Sequence, residues 1–215
     1  MKKVPFSVAE FYLLYKATKL IYGSKSYLYQ KGFHLSVRKK LPINKEGEPL
    51  PWMNYSIIDF LTERLNTDMD LFEYGCGFST LFFQKKVKTV TSVESHHGWY
   101  KKMSSVAAEN VKIIYCPNDE NGNSYAESIN KSEGNFDVIL VDGKDRVSCM
   151  KKAAEKLKKN GVMLLDDSDR QQYAEGFEFM KEMGFRKLNF RNLKPAAIDT
   201  HQTTLFYKPG NCMNL

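Results

Sequence analysis

No run of about 18 uninterrupted apolar residues occurs in this 215-residue chain, so nothing in it reads as a helix that crosses a bilayer. Cysteine is scarce. Cys76, Cys116, Cys149 and Cys212 form no CxxC pair, and their spacing suggests neither a zinc site nor a disulfide framework. Reduced thiols in a cytoplasm are the expectation. With 13 Gly, 7 Pro and no internal repeat, the chain is neither collagenous nor of low complexity. Met1-Lys2-Lys3 opens like a signal peptide, but Glu10 and Lys16 interrupt the apolar stretch a secretory leader needs, and no targeting segment is read. His34, His96, His97 and His201 belong to no ligand or nucleophile pattern.

What is present describes an ordinary folded domain. Hydrophobic residues make up 42% and charged residues 27%, enough for one sizeable core and, at this length, too little for two. The net charge of +7 permits attraction to nucleic acid, an anionic membrane or an acidic substrate. Basic pairs such as Lys85-Lys86, Lys151-Lys152 and Lys158-Lys159 are mixed with Asp and Glu, which reads as solvated helix faces. A nucleic-acid partner is therefore not favoured.

Phe11, Leu14, Tyr15, Thr18 and Tyr22 recur at helical spacing and predict a first helix packed on the domain, with a membrane-surface face bordered by Lys16 and Lys19 as the weaker reading. From Gly23 to Pro51 periodicity is lost, so residues 1–51 read as a helix and loop-rich lead-in ahead of the main domain, 52–215. Helical spacing returns over Trp52 to Leu65. Strands are then expected over 70–74, 89–94, 111–116, 136–142, 162–166, 185–190 and 202–208, with helices between the earlier ones. Runs such as FDVILVD have little alternation, as parallel strands covered on both faces do. Gly161 and Gly184 are read as left-handed stops for helices over 145–160 and 170–183. The loop containing Pro195 has no helix pattern, which favours an antiparallel final pair. The fold class is thus α/β: a Rossmann-like seven-stranded sheet, mostly parallel with an antiparallel last strand.

Ligands of such sheets bind beyond the carboxyl ends of the strands, where strand order reverses. The segment LFEYGCGFST runs from a strand through Glu73, Gly75 and Gly77 into a helix that Ser79 can cap. Thr80 stands where a dinucleotide fingerprint has its third glycine. Glu94 ends the second strand, 17 residues past Gly77, where a carboxylate can accept both hydroxyls of an adenosine ribose. A carboxylate at Glu73 would repel a pyrophosphate but suits a cationic amino-acid moiety.

At these residues the sequence resembles the class I S-adenosylmethionine-dependent methyltransferases, over roughly Trp52 to Lys208. The resemblance implies that Glu73, Gly75 and Gly77 hold the methionine end of S-adenosylmethionine, with Ser79 also among the cofactor-binding residues. It also implies Glu94 for the ribose and Asn118 or Asp119 for the adenine. Asp142, closing the fourth strand, is implied to face the transferred methyl group as the catalytic contact. Base methylases have an Asn or Asp followed by Pro-Pro and an aromatic there, whereas this chain has Asp142-Gly143-Lys144-Asp145.

VDGKDR with LLDDSDR also looks somewhat like the catechol-type O-methyltransferases, in which Asp142 and Asp167 would hold a divalent metal. Ser168 in place of Asn, and Lys144 one place nearer the Asp than that group's lysine, count against a metal; Asp167 or Asp169 as a helix cap is the simpler reading. O-methylation of a small molecule or glycan unit is the expected reaction, with the lead-in as a possible substrate lid. The competing expectations are an adenosine-ligand binding protein without catalysis and an RNA-binding methyltransferase.

Overall fold

Strands without polar alternation have to be covered on both faces. The computed structural model, which describes residues 7–117 and 123–215, places helices on both sides of one seven-stranded sheet. Its strands are β1 (Asp70–Tyr74), β2 (Thr89–Glu94), β3 (Val111–Tyr115), β4 (Phe136–Val141), β5 (Leu157–Leu165), β6 (Arg186–Leu193) and β7 (Thr200–Tyr207). Their order is β3-β2-β1-β4-β5-β7-β6. β1 to β5 pair in parallel, and β7 runs antiparallel to both β5 and β6. Strand order reverses between β1 and β4, which fixes the place where a ligand would bind.

The helices are α1 (Val8–Tyr22), α2 (Tyr27–Gln30), α3 (Phe33–Lys39), α4 (Tyr55–Arg64), α5 (Phe78–Phe83), α6 (His97–Ser104), α7 (Asn123–Glu127), α8 (Arg146–Ala154) and α9 (Ala174–Glu182). Period-two alternation sorts the core into two layers. Leu71, Val138, Leu140 and Leu164 face Ile57 and Leu61 of α4 and Phe83 of α5. Phe72, Tyr74, Ile139 and Met163 face Met150 and Ala153 of α8 and Met180 of α9. Asn54 ties α4 to the antiparallel strands: its side chain accepts from the Ile57 N–H at 3.1 Å and donates to the Phe190 carbonyl and Thr203 Oγ1 at 3.0 Å each. The cap is thus also a tertiary contact.

Four expectations are corrected. The lead-in is helical where no periodicity was visible, because Ser26 caps α2 and Gly32, at φ 75°, turns the chain into α3. A Cβ at Gly32 would lie 2.3 Å from the Asn44 backbone. α1 forms as expected, with a Ser7–Glu10 capping box, but it fully buries none of its residues and packs on the domain only at its C-terminal end, where Ile21 rests on the core and the Tyr22 ring meets His34. α8 stops at Ala154 because the Phe136 N–H bonds the Lys156 carbonyl at 2.9 Å and draws Leu157 into the sheet. Gly161 accordingly lies inside β5, beside a register shift, rather than stopping a helix. Gly184, by contrast, has φ 78° just past α9, and its N–H bonds the Lys181 carbonyl, as the helix-stop reading requires. Among the described residues no helix is long and apolar enough to cross a membrane.

Candidate functional site

The loop after β1 is shaped by a buried carboxylate. Glu73 shares the face of Leu71 and is inaccessible to solvent. Its oxygens accept hydroxyls from Ser79 at 2.8 Å, from Ser92 of the adjacent strand at 2.6 Å, and from Thr80. Thr80 in turn accepts the Gly77 N–H at 2.8 Å, so one carboxylate pins both the turn and the start of α5. Burial pushes the Glu73 carboxyl up to about 7, against the pull of the three hydroxyls. Ser79 is therefore not the helix cap predicted for it. Gly75 has φ 95°, and a Cβ there would press to 3.3 Å on the backbone of Asp142 and Gly143. Gly77 is extended, and a Cβ there would meet nothing nearer than the Trp99 ring at 3.8 Å.

Glu94, at the tip of β2, uses Oε1 to accept the N–H groups of Ser95 and His96 at 2.8 and 2.7 Å. Among the described residues Oε2 meets only the Cys76 thiol, at 3.6 Å. Burial, with Glu94 next, pushes that thiol well up and leaves it inert. Trp99 Nε1 donates to the Cys76 carbonyl at 2.6 Å, so α6 braces the turn from the far side.

Opposite stands the end of β4. Asp142 follows Val141, and its Oδ1 accepts from Arg146 Nη2 at 2.8 Å. Burial and the neighbouring Asp166 push its carboxyl up; Arg146 pulls the other way. Gly143 is required here, since a Cβ would lie 2.1 Å from the Tyr125 hydroxyl oxygen. Asp166 is buried and accepts Thr203 Oγ1 at 2.6 Å. Asp167 is ringed by three cations, Arg170 at 2.5 Å, Lys194 at 3.3 Å and Arg146 at 4.0 Å, and His201 Nδ1 lies within hydrogen-bond distance at 3.1 Å. It caps no helix; the following turn begins at Arg170 without a side-chain cap. Nor do Asp142 and Asp167 fit a metal, because the Arg146 guanidinium stands between them. Among the described residues no group of three or more His, Cys, Asp or Glu could hold one.

Between these walls lies a cavity of about 440 Å³. Gly75, Gly77, Ser79, Glu94 and Asp142 line it. Glu73 lies behind the wall, Asp167 lies outside the cavity, and Asn118 and Asp119 fall outside the described residues. Sequence reasoning missed Leu41, Trp52, Trp99, Tyr125 and Lys144, which also line it. A tryptophan five residues past an acidic strand end carries no motif, and Tyr125 is found only through the glycine it excludes from substitution. The cavity opens at the strand-order reversal and combines a close backbone approach with two carboxylates, Glu94 and Asp142. It suits a ligand bearing vicinal hydroxyls and positive charge.

No protein-family model and no curated protein matches the chain. Solved structures do. A methyltransferase from Pyrococcus furiosus is 19% identical, with a TM-score of 0.52 over 94% of this chain and 98% of its own. A SAM-dependent O-methyltransferase from Thermotoga maritima is 18% identical (TM-score 0.53), covering 71% of this chain and 64% of that one. A Streptococcus mutans protein described as a candidate methyltransferase and solved in complex with SAH is 15% identical (TM-score 0.51), covering 70% and 94%. At such identities the likeness is one of fold. This chain has the class I, Rossmann-like methyltransferase fold that its motifs predicted.

Proposed function

We propose that the chain is an S-adenosylmethionine-dependent methyltransferase acting on an oxygen of a small molecule or glycan unit. The observation that carries the reading is the cavity at the β1/β4 reversal, with Gly75, Gly77 and Glu94 on one wall and Asp142 on the other. Glu94 would take the ribose hydroxyls through Oε2, the oxygen without an N–H partner. The Gly75 to Gly77 backbone would lie along the methionine portion. Glu73, screened from the cavity, acts as a positioning residue through Ser79 and Thr80.

When bound, the donor supplies an electrophilic methyl on a positively charged sulfur. Everything else falls to the chain. Alignment for in-line displacement comes from the rigid walls. Asp142 holds or takes the proton of the acceptor hydroxyl, and its raised carboxyl brings it nearer to a useful base at neutral pH. Trp52, about half exposed, presents a flat apolar surface on which a sugar or aromatic ring can stack, which supports such an acceptor. Leu41 brings the lead-in to the cavity wall, beside Trp52, and supports its role as a lid. Four unpaired thiols accord with a cytoplasmic location.

Calorimetry with S-adenosylmethionine and its demethylated product tests the donor. Both should bind, and Glu94→Ala should weaken both by about 10- to 100-fold, the worth of hydrogen bonds to a charged acceptor. No binding, or an unchanged affinity in Glu94→Ala, overturns the reading. An acceptor panel on which the parent methylates nothing while binding the donor would leave an adenosine-ligand binding protein in its place.

A further inference from the structure

The sequence is charge-asymmetric. Residues 1–51 hold ten Lys and Arg against three Asp and Glu, a net +7, whereas residues 52–215 hold 22 against 22, a net of zero. The whole excess positive charge of the protein therefore belongs to the lead-in. The same segment carries the exposed apolar surface. In α1, Val8, Tyr12, Leu13, Leu14, Leu20 and Tyr22 are each more than half exposed, and no residue of the helix is buried. An exposed patch of this kind marks an interaction site.

Three observations decide what covers it. At 100° per residue, Leu13 and Leu20 lie on the side of the helix opposite Tyr15 and Tyr22, so apolar groups point in every direction. A protein groove or a second copy covers one stripe and leaves the other in water; immersion in lipid covers both. Second, the Lys16 and Lys19 ammonium groups lie 5.3 and 4.8 Å from the centres of the Tyr12 and Tyr15 rings. Amphipathic tyrosines with lysines laid along them match the depth of lipid headgroups. Third, two copies of a +7 segment repel each other, whereas an anionic bilayer attracts one. The helix, 15 residues and so about 22 Å long, is too short to cross a hydrocarbon core of about 30 Å.

We propose that α1 is a membrane-surface helix. It enters the headgroup and upper acyl region of an anionic bilayer, while basic residues that follow it, among them Lys25, Arg38, Lys39 and Lys40, rest on the headgroups. The anchor is tied to the domain, because Leu28 of α2 and Phe33 of α3 join the core.

The test is flotation of the full chain with vesicles of phosphatidylcholine alone or mixed with phosphatidylglycerol. The parent should float with the anionic vesicles, stay behind with the neutral ones, and be released by high salt. Leu13→Glu/Leu20→Glu should lose flotation with an unchanged thermal midpoint, since both positions are exposed. Lys16→Glu/Lys19→Glu should lose roughly fivefold per charge removed, and more on reversal. Failure of the parent to float overturns the proposal, as does equal flotation on neutral vesicles or parental flotation of either variant. A dimer in sedimentation that Leu13→Glu/Leu20→Glu dissolves would assign the surface to a second copy. A single-stranded RNA complex lost in the same variant would assign it to nucleic acid. Either result overturns the lipid assignment.

Discussion

Glu73 behind the β1 turn and Asp167 past the end of β5 are both carboxylates withdrawn from water, and the protein compensates them in opposite ways. Among the described residues Glu73 receives three hydroxyls and no cation. Burial wins there, and the carboxyl titrates near 7. Burial also pushes Asp167 up, but Lys194, His201, Arg170 and Arg146 together hold it below its usual range. Neutral donors orient a buried carboxylate without cancelling its charge; cations cancel it. One site is thereby a rigid, proton-sensitive support for a loop, and the other a permanently charged knot that joins β5, the β6–β7 loop and β7. Asp142 stands between the two regimes, with one arginine and an acidic neighbour.

The largest effect should come from that intermediate residue. Asp142→Asn is expected to lower methyl transfer by about 10²- to 10⁴-fold while donor affinity, read by calorimetry, stays within a few-fold. An equal loss of affinity would merge the two walls of the cavity into one function. Asp167→Asn should cost about 3–5 kcal/mol in urea unfolding, because it leaves Lys194, itself only 15% exposed, beside an uncharged partner. The Asp167 contribution is present above pH 3.8, its ordinary value, and is lost as pH falls through its lower folded value. A cost near zero would show that the cations are satisfied by solvent.

Glu73 has the reverse sign. Its folded carboxyl titrates near 7 against an ordinary 4.5, so its contribution is complete below pH 4.5 and is lost as pH rises through about 7. The stability of Glu73→Gln relative to the parent should therefore rise by on the order of 3 kcal/mol between pH 4.5 and 7.5, whatever the fixed offset between them. A flat difference curve would mean that the hydroxyls hold Glu73 ionised throughout. The smallest effect is expected from Thr80→Val, which strips one donor from Glu73 and the acceptor from the Gly77 N–H. It should cost about 1–2 kcal/mol and push the Glu73 carboxyl further up, seen as a rightward move of the same curve.

Of the residues singled out in the sequence, Gly75, Gly77, Ser79, Glu94 and Asp142 line the cavity. Those positions follow from where apolar runs end, and the end of a strand is where the chain itself exposes a side chain. The sequence reading failed at Glu73 because strand alternation turns that residue toward Ser92, 19 positions away in sequence. The helix expected to Asn160 failed because pairing with Phe136 outweighed a helical spacing that the chain does contain. α1 is a helix as expected but is packed only at its C-terminal end, through Ile21: capping and periodicity are local, whereas the surface that would cover the rest is not part of the chain's own pattern.

The sequence alone determined the strand runs, their alternation with helices, and the acidic Gly-x-Gly turn, since hydrophobic period and glycine conformation act between residues a few positions apart. Only the tertiary structure decided which carboxylates face the cavity, which are neutralised by cations, and which apolar helix is left uncovered. Electrostatic energy and burial depend on groups within a few ångströms in space, and here those groups come from distant strands and loops, as His201 does, 34 residues from Asp167 in the chain.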